Sequence, residues 1–353
     1  MVQKVLYGML ILVPITLALY LMDIGGHSLI FVLSALSLIP LAGVLGTATE
    51  ETAIYTGPKV GSLLNATLGN LAELIIAFAA LREGLESVVR ASIAGSIIGN
   101  ILIVLGASLL VGGLKNGIQN FDPREASTNA TMMTLAVISL VVPGLFFLTD
   151  ADGTRLDRHD AERLSDGVAV IMLVIYAAYL YFTLFDKRIK RPERAHTEEA
   201  TMSLPLAVGI LIAATIAVVV MSEILVGVLE PTAESWGLSE VFIGLIVVPL
   251  VGNVAEHLVA VKAAWNNDMD LSMGIALGSG LQVALFVAPV LVLLGELIGR
   301  PIPMVFNTWE LIALIAAVLL AVAISQDGES NWLEGAQLIA VYLILGTAFY
   351  FAG

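Results

Sequence analysis

Cysteine is absent from this 353-residue chain, and charge is scarce, with Asp, Glu, Lys and Arg together only 13% of it. No thiol means no disulfide, no thiolate metal site and no cysteine nucleophile. Basic residues number 16 against 30 acidic ones, a net charge of −14 that argues against a nucleic-acid partner. What remains is 58% apolar, with a mean hydropathy of +0.96, far above that of an ordinary soluble domain. The composition implies an integral membrane protein whose chemistry uses oxygen and a few nitrogens.

A helix needs about 20 apolar residues to cross about 30 Å of hydrocarbon. Apolar runs predict about 11 crossings, near 5–22, 28–46, 60–81, 91–114, 130–149, 166–185, 203–229, 241–264, 271–298, 308–325 and 332–352. The expected fold is therefore an all-α polytopic membrane protein. The first run follows Lys4 directly and has no small-x-small cleavage pattern after Met22, so it reads as a retained helix. Ten of the 16 basic residues fall on the N-terminal side of the alternating loops and six on the other. That bias predicts a cytosolic N-terminus and an outside C-terminus.

The chain repeats itself at an offset of 183 residues. Between Thr49 and Leu114, sixteen of 66 positions are identical to the residue 183 further on. Gly69-Asn70-Leu71-Ala72-Glu73 falls on Gly252-Asn253-Val254-Ala255-Glu256, and Gly95-Ser96 on Gly278-Ser279. The offset carries the third crossing onto the eighth, an odd number of crossings later, so the copies are expected to run in opposite directions. The predicted organisation is an extra N-terminal helix (1–25), a first five-helix repeat (26–186), a charged cytosolic loop (187–202) and a second, inverted repeat (203–353).

Glu73 and Glu256 lie well inside apolar runs, where a charge costs roughly 2.5–3.5 kcal/mol at the helix centre on insertion scales. A single such Glu could merely be protonated and hydrogen-bond neighbouring helices together. Two at equivalent places, each three residues after an Asn and so on the same helix face, point to function instead. No Lys or Arg lies deep in a span, so the counter-charge is a proton or a bound cation. Amides at Asn70, Asn253, Asn100 and Gln282 and hydroxyls at Ser96 and Ser279 complete a set of hard oxygen donors suited to calcium. Two carboxylates balance one divalent ion, or two protons once it leaves. Pro249 cannot donate to the carbonyl of Leu245, which is left as a further candidate ligand. His257, where the first copy has Leu74, breaks the symmetry and is a candidate for relaying protons or tuning Glu256. Glu223 and Glu310, nearer span ends, are weaker candidates for an access path, and Glu198 and Glu199 for a calcium-sensing element in the loop.

At these residues the sequence resembles the calcium/cation–proton exchanger family of the calcium/cation antiporter superfamily. The likeness runs over essentially the whole chain and is carried by GNLAELIIAF (Gly69 to Phe78), GNVAEHLVAV (Gly252 to Val261), SIIGN (Ser96 to Asn100) and GSGLQ (Gly278 to Gln282). The resemblance implies that Glu73 and Glu256 alternate between calcium and protons, supported by Asn70, Asn253, Ser96, Ser279 and Gln282, with no cofactor. The start of the first apolar run so close to Met1 fits a prokaryotic plasma-membrane member. A sodium-driven calcium exchanger is the alternative, but its repeats are expected to carry Thr-Ser-x-Pro-Glu, and here both Glu residues follow Gly-Asn-x-Ala. A more remote alternative is an intramembrane hydrolase using Ser279 with His257. Leu277-Gly278-Ser279-Gly280 lacks the first glycine of a serine protease motif, and Ser96 has no matching histidine.

Overall fold

A computed structural model describes residues 2–148, 158–185 and 200–352. Its helices are α1 (Val2–Met9), α2 (Leu12–Leu21), α3 (Gly26–Thr56), α4 (Pro58–Leu68), α5 (Leu71–Glu83), α6 (Glu86–Gly99), α7 (Leu105–Asn116), α8 (Pro123–Leu148) and α9 (Arg158–Phe185) in the first part of the chain. There follow α10 (Leu204–Gly227), α11 (Leu229–Trp236), α12 (Glu240–Phe242), α13 (Val248–Trp265), α14 (Met269–Gln282), α15 (Ala288–Leu297), α16 (Thr308–Ile324) and α17 (Trp332–Ala352). Among the described residues, nine helices are long and apolar enough to cross a membrane, and two shorter apolar ones, Leu6–Leu21 and Thr308–Ile324, lie where the first and tenth crossings were expected. The protein is an all-α polytopic membrane protein. Strand pairing among the described residues is confined to Gln119–Asn120 against Glu329–Ser330.

Burial orders the bundle. The two continuous helical rods Glu86–Asn116 and Met269–Leu297 are 67% buried over their apolar windows, whereas α9 and α17 are 17% buried and α10 is 22%. The former are the centre and the latter face outward. α3 packs along α10, the first long helix of the second half. Small residues permit the closest approaches, as expected where lipid supplies no hydrophobic drive between helices. A Cβ on Gly106 would lie 3.0 Å from Leu338 Cβ and 3.2 Å from the Gly335 carbonyl, which fixes α7 on α17.

The 183-residue offset is visible in the helix boundaries. α6 spans 86–99 and α14 spans 269–282, each followed by a five-residue π-helical turn, Asn100–Val104 and Val283–Val287. All four boundaries are equivalent under the offset. A π-turn widens the helix by one residue and leaves side chains re-aimed. In the second copy Pro289 follows the turn and cannot donate to Leu285; in the first, Gly106 stands there.

The copies differ at the Glu-bearing helices. In the first, the chain breaks at Gly69–Asn70, where Asn70 has φ −99° and ψ 24°, so the predicted crossing 60–81 is two helices, α4 and α5. In the second, α13 runs unbroken through Gly252 and Asn253, and the distortion lies a turn earlier, in the π-turn Ile243–Val247 just before Pro249. Pro249 lacks the N–H that a regular turn would offer to Leu245, which accounts for the displaced distortion.

Candidate cation site

The break at Gly69–Asn70 sets Glu73 in the first turn of α5, where unpaired backbone N–H groups favour negative charge. Glu256 sits in the middle of α13 with no such help. The two helices cross so that each glycine of one signature meets the glutamate of the other. A Cβ built on Gly252 would lie 3.3 Å from Glu73 Cγ, and one on Gly69 would lie 3.8 Å from Glu256 Oε1. Residue i touching j while j touches i is the mark of a two-fold relation. Glu73 is 6% exposed and faces both the carboxylate of Glu256 and the amide of Asn253. Glu256 faces the Ser279 hydroxyl and Glu50. Glu73 Oε1 and Glu256 Oε2 are buried without a hydrogen-bond partner in the protein.

Four neutral candidates form one network beside the carboxylates. The Asn70 amide donates to Gln282 Oε1. Ser279 Oγ donates to Asn70 Oδ1 at 3.3 Å, and Asn100 Nδ2 donates to Ser279 Oγ at 3.2 Å. Ser96 and Asn253 are buried, and Asn253 Oδ1 has no partner. The Leu245 carbonyl lies directly against Gly95, where no Cβ could be accommodated, one residue from Ser96. His257 lines a narrow cavity with Asn253, and its Nε2 is buried without a partner. Among the described residues no group of three or more His, Asp or Glu side chains is gathered as a metal cluster, and the two signature carboxylates, with Glu50 acting on Glu256, supply the negative charge here.

The weaker candidates lie elsewhere. Glu223 is ion-paired with Arg82 at 2.6 Å, on side chains that are 36% and 53% exposed. Glu310 closes a capping box at the start of α16: its carboxylate accepts from the Asn307 N–H at 2.8 Å, while Asn307 Oδ1 accepts from the Glu310 N–H at 2.9 Å. Both carboxylates thus have local partners. Glu198 and Glu199 fall outside the described residues.

Glu50 and Glu51 were not singled out from the sequence. Glu51 accepts from the backbone N–H of Thr201 at 3.0 Å, from that of Met202 at 3.2 Å and from the Thr201 hydroxyl, and Tyr55 donates to the Met202 carbonyl at 2.5 Å. These bonds tie the end of α3 to the start of the second half. A signal was present, since Thr49 and Glu51 are among the identities of the repeat, matching Thr232 and Glu234.

Comparison with known families decides the affiliation: residues 27–185 and 206–351 match the sodium/calcium exchanger protein family. The chain belongs to that family. It is 43% identical to a Ca(2+)/H(+) antiporter of Synechocystis sp. over 367 residues, covering 99% of this chain and 98% of that one. It is 44% identical to a Ca(2+)/H(+) antiporter of Bacillus subtilis over 329 residues, 92% of each. The crystal structure of the Ca2+/H+ antiporter YfkE superposes with a TM-score of 0.84 at 39% identity, covering 99% of both chains. In this chain the residues that face each other are those of the two Gly-Asn-x-Ala-Glu signatures.

Proposed function

We propose that this protein is a secondary antiporter that expels calcium from the cytosol in exchange for protons. The observation that carries the reading is the reciprocal apposition of Glu73 and Glu256, each with a buried carboxylate oxygen that no protein group satisfies. Such oxygens are costly inside a membrane unless a cation or a proton occupies them. Two carboxylates neutralise one calcium ion; when it leaves, two protons restore neutrality. Calcium and protons therefore exclude one another, which is what obliges exchange. Asn70, Asn253, Ser96, Ser279, Asn100, Gln282 and the Leu245 carbonyl supply neutral oxygens of the kind calcium prefers. Alternation then moves the site between the two faces as one half rocks against the other.

In this reading residues 26–186 and 203–353 are two inverted five-helix units, joined by the charged segment 187–202 and preceded by the helix of 1–25. The N-terminus is cytosolic, the C-terminus outside, and the membrane a prokaryotic plasma membrane. The antiporter names of the bacterial relatives support calcium as cargo and protons as driver. In this reading the chain is a transporter: the ions it exchanges cross the membrane chemically unchanged.

The test is calcium flux into proteoliposomes holding the purified protein, driven first by a pH gradient and then by a sodium gradient at equal pH. The reading expects flux with the proton gradient alone. Flux with sodium alone would keep the site and replace the driving ion; none with either would end the calcium reading.

A further inference from the structure

The two signatures are not packed alike. Asn70 has its amide bonded by Gln282 and Ser279 of α14. Under the 183-residue offset, the residues that would serve Asn253 are Gly99 and Ser96 of α6. Gly99 has no side chain, and a Cβ built on it would meet nothing within 4 Å. Ser279 donates to Asn70 Oδ1, whereas its equivalent Ser96 makes no such bond to Asn253 Oδ1, and beside it Gly99 leaves space. That space is a cavity of about 10 Å³ between α6, α13 and α17, whose polar lining is Ser96, Asn100, Asn253, His257 and Tyr342. Asn253 Oδ1 and His257 Nε2 are both buried and have no protein partner.

A buried amide oxygen left without a hydrogen-bond partner is destabilising. A buried water needs roughly 10–15 Å³ of free volume and two to four polar partners. The cavity meets both conditions, and an apolar void would not present two orphaned polar atoms. We propose that one ordered water molecule binds in the Gly99 cavity, donating to Asn253 Oδ1 and bonded to His257 Nε2, and so gives Asn253 Oδ1 the hydrogen bond that Asn70 Oδ1 receives from the Ser279 hydroxyl in the other copy. Ser96 and Tyr342 are residues of the same lining. Gly99, which lines the cavity, leaves room for this water. Through this water Asn253 is held in position.

The test uses the full chain in lipid nanodiscs, calcium-free with EDTA so that no cation can supply density, imaged at a resolution that shows ordered solvent. A solvent peak within hydrogen-bonding distance of Asn253 Oδ1 and His257 Nε2 is expected; a dry cavity there overturns the proposal. Two substitutions then separate filling from bonding. Gly99→Ala places a methyl in the cavity, and the half-saturating calcium concentration is expected to rise about fivefold, the effect of one lost neutral hydrogen bond. Gly99→Gln supplies an amide in place of the water, and calcium dependence is expected to return toward the parent. An unchanged dependence in Gly99→Ala, or equal impairment in both variants, contradicts the positioning role. The flux arm rests on the antiport reading, whereas the solvent peak does not, so failure of transport in the parent protein leaves the water site to be decided by the map.

Discussion

Gly252 stands against Glu73: a Cβ on the glycine would come within 3.3 Å of the glutamate Cγ. The mirror pair, Gly69 and Glu256, is set at 3.8 Å by the same measure. Gly252 therefore makes room for the Glu73 side chain, whereas at Gly69 the tightest neighbour of a Cβ is the Asn65 carbonyl at 2.6 Å and Glu256 lies at ordinary contact distance.

A side chain at Gly252 displaces Glu73. Gly252→Val is expected to cost about 1–3 kcal/mol through overpacking and to remove most calcium flux, with the protein still inserted. Gly278→Ala is the control, because a Cβ there meets nothing within 4 Å. It should leave flux intact and leave thermal stability equal or slightly higher, since alanine is the better helix former. Parallel melting and flux measurements check both.

Calcium needs both carboxylates free of protons. Its half-saturating concentration should therefore rise as pH falls on the side where it binds, approaching about 100-fold per pH unit in the range where two protons compete. A calcium titration of flux at several pH values, with the gradient held constant, measures the slope. A slope that stays flat across the neutral and acid range would contradict competition at a shared site.

The Glu310 carboxylate is engaged by the Asn307 N–H in the capping box of α16. Glu310→Ala should lower stability by about 1 kcal/mol, as for loss of a helix cap, without changing the calcium concentration at half-saturation. A changed calcium dependence with an unchanged melting temperature would instead place Glu310 on the ion's route.

Glu223 pairs with Arg82 on a half-exposed surface. Such pairs are worth about 0–1 kcal/mol, so Glu223→Gln and Arg82→Ala should each change stability by no more than that. Their double substitution should cost less than the sum of the two. Loss of flux in Glu223→Gln but not in Arg82→Ala would give the carboxylate a role beyond the pair.

Much of this architecture could be read from the sequence, because long apolar runs in a chain with few charges have few solutions other than membrane helices. The Gly-Asn-x-Ala-Glu pairs and the equivalent serines were legible for a related reason: polar residues so deep in such runs stand out. Features that depend on a tertiary partner were not. The break at Gly69–Asn70 accompanies the hold of Gln282 and Ser279 on the Asn70 amide, partners more than 200 residues away. α3 was expected to end near residue 46 and continues to Thr56, because its polar last turns are held by contacts such as that of Glu51 with Thr201. The pairing of Gln119–Asn120 with Glu329–Ser330 is too short to leave a strand pattern. The amphipathic α11 sat within and beyond the end of the crossing predicted to reach residue 229.

The central claim is that Glu73 and Glu256 carry calcium and protons in turn. The most direct measurement follows calcium uptake and proton release in the same proteoliposomes for the parent chain, Glu73→Gln and Glu256→Gln, with insertion checked in each. The account predicts coupled fluxes of both ions in the parent and loss of both in either variant. Calcium exchange that persists with either glutamate replaced would contradict it.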